Sequence, residues 1–233
     1  MSGRRLSREG RHRTNTSRKG DSLLRKIVER VPTQTLLADL EKYRQLAISL
    51  GATDAKIIPA DQIVVDERVV MKCTLPKCMG WGLCAHCPPH AMKADQTQRI
   101  VNAYRYAIFY SRECDPAELG PDRDWSKVQP VRKNLFEICA RVESAAFYDG
   151  YHLALGFWNG SCRTIFCDDK PCQALELGKG CRAPLKARSS MEAVGIDSMI
   201  TAARVGWDVY PCGVSVKAED VPFVRRMGMV LID

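Results

Sequence analysis

The sequence predicts an α/β fold: helices packed on one mixed sheet, two cysteine-rich metal-binding loops, and a disordered basic N-terminal tail. Three observations carry this reading. Apolar residues at helical spacing alternate along the chain with short β-branched runs. Glycine and proline punctuate those segments. Eight of the eleven cysteines fall in two loop-like stretches and not in the periodic segments.

Taken in order, Leu23, Leu24, Ile27, Val28 and Val31 recur at helical spacing until Pro32 stops them. Leu36, Leu40, Tyr43, Ala47 and Leu50 form a second stripe, ended by Gly51. Residues 55–58 and 62–65 read as extended. A cysteine-rich loop occupies 73–90. Asp95 opens a helix with Ile100, Val101 and Tyr104 on its face, and 106–110 reads as a strand. Residues 114–127 suggest a surface loop. Val131, Leu135, Ile138, Val142 and Ala145 define the most periodic helix, closed by Gly150. Residues 151–158 read as a buried strand, and a second cysteine-rich loop spans 160–188. Ser189 and Glu192 have capping-box spacing. Gly195 interrupts that helix, Asp197 can cap its continuation to Val205, and 229–232 reads as a last strand. Both cysteine loops follow predicted strands, which would put them at one end of the sheet.

The chain of 233 residues, 45% hydrophobic and 27% charged, suits one globular domain with a tail: 1–21 as the tail and 22–233 as the metal-binding domain. This composition excludes a disulfide miniprotein, a collagenous chain and a wholly disordered one. No apolar run approaches the ~18 residues of a membrane span. Net charge is +8, yet Arg4, Arg5, Arg8, Arg11, Arg13, Arg18 and Lys19 stand against Glu9 alone in residues 1–20. The tail therefore holds most of the excess, and with little to bury it is expected to stay unfolded. No aromatic interleaves with its arginines, so a solvated extension is favoured over a nucleic-acid arm. Arg4-Arg5 is followed by no apolar core, which leaves a reducing cytoplasm as the expected compartment.

The first cysteine group is Cys73-x4-Cys78-x5-Cys84-x2-Cys87, followed by Pro88-Pro89; the second is Cys162-x4-Cys167-x4-Cys172-x8-Cys181. Four soft thiolates within ~20 residues can wrap one tetrahedral ion or one cubane cluster. Disulfides are disfavoured by compartment. Zinc is the serious rival, but a zinc ribbon normally pairs two Cys-x2-Cys knuckles and only Cys84-x2-Cys87 has that spacing. The longer gaps favour iron–sulfur chemistry, with two [4Fe-4S] clusters, one per group. Lys72, Lys77 and Lys93 surround the first group with no acid between 71 and 93. Arg163, Lys170, Lys179, Arg182, Lys186 and Arg188 outnumber Asp168, Asp169 and Glu176 around the second. A cationic setting lowers thiol pKa and offsets cluster charge. Cys139, in the periodic helix, reads as core. Cys212, in Tyr210-Pro211-Cys212-Gly213, is a candidate extra ligand or redox thiol. His86 and His90 flank Cys87, and either could ligate or tune a centre.

Lys72-Cys73 through Cys84-Ala85-His86-Cys87-Pro88-Pro89, with Cys172, Cys181-Arg182-Ala183-Pro184 and the run Ser190 to Asp197, resembles the predicted metal-binding proteins grouped as domain of unknown function 2284. The resemblance covers about residues 35–233. It implies metal bound through these cysteines, often as iron–sulfur centres of anaerobic metabolism, and no particular reaction. The chain lacks Cys-x3-Cys-x2-Cys, Cys-x2-Cys-His, Gly-x4-Gly-Lys-Ser/Thr and Gly-x-Gly-x2-Gly, and its histidines at 12, 86, 90 and 152 suggest no Ser-His-Asp arrangement. The expectation is therefore an electron-transfer or metallocofactor protein docking a redox partner protein. The alternatives are a metalloenzyme with an open cluster iron, or a zinc-stabilised module binding nucleic acid through its tail.

Overall fold

The computed structural model describes residues 24–119, 123–176, 179–212 and 217–233. The basic tail expected over 1–21 lies outside these. A four-stranded sheet runs through the centre: β1 (Asp54–Pro59), β2 (Tyr106–Cys114), β3 (Leu155–Phe157) and β4 (Val224–Ile232), in the order β1-β2-β4-β3. All three pairings are antiparallel. The helices are α1 (Thr33–Ser49), α2 (Glu67–Thr74), α3 (Ala94–Val101), α4 (Trp125–Tyr148), α5 (Arg163–Phe166) and α6 (Ser198–Arg204).

Strand alternation sorts the core into two layers. Ile108 and Tyr110 of β2, with Val230 and Ile232 of β4, face α1 and α4, meeting Leu36, Leu40 and Tyr43 from one helix and Leu135, Ile138 and Val142 from the other. Ala107, Phe109, Met229 and Leu231 face the opposite way, onto Val101 of α3, Ala202 of α6, Met191 and Trp207. Period two along a strand buries both faces because each has its own helical cover. The strands pack too closely for a side chain at Gly228, where a Cβ would stand 2.1 Å from the Tyr110 hydroxyl oxygen.

Four segments differ from the sequence expectation, one being 189–194, which forms a single 3-10 turn with Ser190 accepting the Ala193 amide and no α-helix. Residues 24–32 form no helix: Leu24, Ile27 and Val28 are exposed and only Val31 is buried, so the apolar stripe has no face to cover. Arg25 instead ties this stretch to Asp39 of α1. Of 151–158 only 155–157 pairs in the sheet, because Tyr151 donates its amide to Ala146 and closes the end of α4. The extended reading of 62–65 reduces to one bridge between Val65 and Ile196, outside the sheet. Gly195 behaves as expected: at φ +87° it breaks the chain before Asp197, whose carboxylate accepts the Ile200 amide and starts α6.

Among the described residues no helix is long and apolar enough to cross a membrane.

Candidate metal centre

The first cysteine loop begins inside a helix. Asp66 caps α2 by accepting the Arg68 amide, and Cys73 stands on its last turn. Cys73 then accepts the Cys78 amide at its carbonyl (2.9 Å), Cys78 accepts that of Trp81 (3.0 Å), and Cys84 accepts that of Cys87 (3.0 Å). These tight turns fold the loop back on itself and bury Cys84 and Cys87. The second loop leaves β3, and Cys162 sits at the start of α5, with its carbonyl accepting the Phe166 amide at 2.9 Å.

The two loops meet. Cys84 Sγ lies 3.3 Å from Cys162 Sγ, and His86 Nδ1 lies 3.5 Å from the same Cys162 sulfur. The ligand atoms of Cys84, His86 and Cys162 all fall within 4.8 Å of one another. Cys87 donates to the Ser161 hydroxyl at 3.7 Å. Beside this triad a cavity of about 200 Å³ is lined by Cys73, Cys78 and Cys87, and across from them by Asn159, Ser161 and Glu192.

Backbone amides are aimed at three of the sulfurs. Gly80 donates to Cys78 at 3.4 Å, His86 to Cys84 at 3.4 Å, and Ala183 to Cys181 at 3.3 Å. In each case the donor lies two residues beyond the cysteine. At Cys84 the amide of His86 favours the thiolate over the thiol. Hydrogen bonds from Cys162 and then Cys87 hold the Cys84 sulfur far below the ordinary thiol range, outweighing its burial. The same contact with Cys84, together with burial, pushes Cys162 and Cys87 up. Burial, then the Cys78 and Glu192 charges, raises Cys73. Thiols this close compete for ionisation, and a bound cation would let them ionise together.

The eight sequence-predicted cysteines are placed unequally. Cys84 and Cys162 touch, Cys73, Cys78 and Cys87 line the neighbouring cavity, and Cys181 packs against the same core as Cys84 and Cys162. Cys167 is buried in the turn after α5, and Cys172 packs at the edge of the core. Among the described residues neither sulfur is hydrogen-bonded to the other six. Cys212 packs instead with Cys114, Val221 and Val224. His90 is exposed, with its backbone amide bonded to Cys87. Cys139 is fully buried beneath Gly156, and burial pushes its thiol up to about 12.

Sequence reasoning did not single out Asn159 and Ser161, polar residues before Cys162, as part of the site. Glu192, read as a helix-capping residue, lines the cysteine cavity and accepts from Asn159 Nδ2 at 3.0 Å and Ser198 Oγ at 3.3 Å. Burial raises its carboxyl. Much of the cation excess around the second loop is paired: Lys186 with Glu137, Arg188 with Glu143, Lys179 with Glu176, and Arg163 with Asp169.

Soft donors from two loops, brought together although the strands they follow, β1 and β3, run in opposite directions, define a cysteine-rich metal-binding protein. The chain belongs to the predicted metal-binding protein family DUF2284, whose model matches residues 56–232 and so takes in both loops. No curated protein and no solved structure matches it.

Proposed function

We propose that this protein carries iron–sulfur chemistry in the cytoplasm, serving electron transfer or metallocofactor metabolism with a redox partner protein. The observation that carries the reading is the meeting of the two loops, with Cys84 against Cys162 and with Cys73, Cys78 and Cys87 around the adjoining cavity. A single tetrahedral ion takes four donors, so Cys84, Cys162 and His86 together with the cavity's Cys73, Cys78 and Cys87 exceed one ion and support a polynuclear centre or two centres. Such a centre would supply one-electron chemistry. Cys73, Cys78 and Cys87 would hold one part of it and Cys84, Cys162 and Cys181 another. The amides on Cys78, Cys84 and Cys181 would disperse thiolate charge and raise the potential.

A zinc reading is favoured by one specific observation. Tetrahedral thiolates with zinc–sulfur bonds of about 2.3 Å stand about 3.8 Å apart. The Cys84, His86 and Cys162 donors are spaced on that scale. The zinc would then be structural, clamping the two loops together.

Anaerobic purification separates the two. Brown protein containing iron and acid-labile sulfide is the expected result. Colourless protein with stoichiometric zinc and no sulfide would overturn the iron–sulfur reading.

A further inference from the structure

A second and larger cavity, of about 620 Å³, opens on the other side of Cys78 and Gly80. It shares Asn159 and Ser161 with the cysteine cavity, so the two are neighbours through a common wall. Its remaining lining has a different chemistry. Among the described residues that line it, four arginines, Arg123, Arg132, Arg163 and Arg226, stand with two acids, Glu118 and Asp169, and Arg163 is paired with Asp169. A concave wall with excess positive charge concentrates anions.

Three groups without a hydrogen bond sharpen the reading. Among the described residues four buried side-chain polar atoms have no hydrogen-bond partner: Glu118 Oε2, Gln129 Oε1, Trp158 Nε1 and Arg226 Nε. Glu118, Gln129 and Arg226 all line this one cavity. Buried polar groups are nearly always satisfied, and this hollow presents a donor on Arg226 and acceptors on Glu118 and Gln129 that no hydrogen bond within the chain uses. Arg226 is only 8% exposed, and its Nε stands 3.8 Å from Glu118 Oε2, close enough to attract and too far to hydrogen-bond. Arg132 is short of anions too. Its guanidinium donates to the Thr164 hydroxyl at 3.1 Å, and burial, with Arg226 and Arg123 nearby, draws it down to about 10.

We propose that this cavity binds a small organic anion bearing a hydroxyl or amino group, with Arg132 and Arg226 holding the oxyanion and the Glu118 and Gln129 oxygens accepting from the ligand's own donor. Carboxylates and phosphate esters share this chemistry. The bound molecule would lie beside Cys78, one residue layer from the cysteine cavity. The site borders the cysteine cavity through Cys78 but uses none of its sulfurs, and the inference holds for either metal.

Calorimetric titration of the full-length, metal-loaded protein tests it with two matched pairs: malate against succinate, and glucose 6-phosphate against inorganic phosphate. The expected result is saturable binding of malate or of glucose 6-phosphate at one site per chain, about tenfold tighter than its hydroxyl-free counterpart. Arg132→Gln should weaken that binding by at least about tenfold. Gln129→Met, nearly isosteric and half-buried in α4, should erase most of the hydroxyl preference and keep anion binding. Arg68→Gln, an exposed arginine on α2, should change nothing. Thermal melts of each variant register folding separately. Failure of all four probes to saturate at millimolar concentration would overturn the proposal. So would equal affinity within both pairs, or binding that survives Arg132→Gln unchanged in a folded variant.

Discussion

Cys84 and Cys162, 78 residues apart, place their sulfurs 3.3 Å from each other in the buried floor between the two cysteine loops. Each had been assigned by spacing to a different group of four. Their contact makes the loops one structural unit, because a ligand lost from either loop disturbs donors belonging to the other.

Serine substitution reads this out directly. Cys84→Ser and Cys162→Ser should each lower bound metal by the same amount, and the double variant should fall little further, since residues of one unit are not additive. Cys212→Ser should leave metal content at the wild-type value, because Cys212 packs with Cys114 and Val221. Metal-to-protein ratios by elemental analysis settle the comparison. An unaltered ratio in Cys162→Ser would show that the contact has no part in metal binding.

The two histidines of the first loop should separate cleanly. His86 meets the Cys162 sulfur at 3.5 Å, and its backbone amide supports Cys84. His86→Ala should lower metal affinity at least about tenfold, whether the ring ligates or orients a ligand. His90→Ala should not, because that side chain is exposed. Chelator competition on both variants measures the difference.

The Asp39 network should set part of the acid stability. Asp39 is buried, accepts from Arg25 Nη2 at 3.0 Å and from the Tyr151 hydroxyl at 2.7 Å, and joins the segment before α1 to the chain after α4. Burial pushes its carboxyl up, but the Arg25 and Tyr151 hydrogen bonds prevail and hold it below the ordinary value. A depressed folded pKa stabilises fully above the unfolded value of about 3.9, and the contribution disappears as pH falls below that toward the folded pKa. Asp39→Asn should therefore cost about 1–2 kcal/mol at neutral pH, discounted because Arg25 is one-third exposed, and should flatten the acid limb. Urea unfolding at several pH values checks both effects. A variant as acid-sensitive as the wild type would assign the limb to other carboxylates.

Much of the fold was legible because its signals are local. The α4 stripe of Leu135, Ile138 and Val142 is periodic on its own, and the β-branched run of 55–58 lies inside β1. The Gly195–Asp197 break and cap needs only three residues. The identity of the cysteines was legible for the same reason. Their grouping was not, since spacing reports neighbours in the chain, and nothing local to Cys84 points to Cys162. The arginine cavity was further out of reach. Arg123 stands just before α4, Arg132 on α4, Arg163 on α5 and Arg226 on β4, and the four share no motif. Helix 24–31 failed for a physical reason: periodicity shows a stripe, and only the tertiary structure decides whether anything covers it.

The close approach of β2 and β4 gives the sharpest test of the core. Gly228 pairs with Tyr110 across the two strands, and the ring lies over the glycine, with its hydroxyl donating to the Leu135 carbonyl at 2.9 Å. A Cβ at 228 would stand 2.3 Å from the ring carbon that bears the hydroxyl, so Gly228→Ala must displace a buried tyrosine held by α4. The expected cost is about 1–3 kcal/mol or more, as for overpacking elsewhere. Tyr110→Phe removes only the hydroxyl and leaves the Leu135 carbonyl to its helical partner, and should cost about 1 kcal/mol. Because the clash involves the ring as well as the hydroxyl, Tyr110→Phe should not rescue Gly228→Ala, whereas Tyr110→Ala should recover part of the loss by vacating the space. Thermal melts of the two double variants against the singles distinguish the cases. Full rescue by phenylalanine would mean that the hydroxyl alone fills the gap above the glycine.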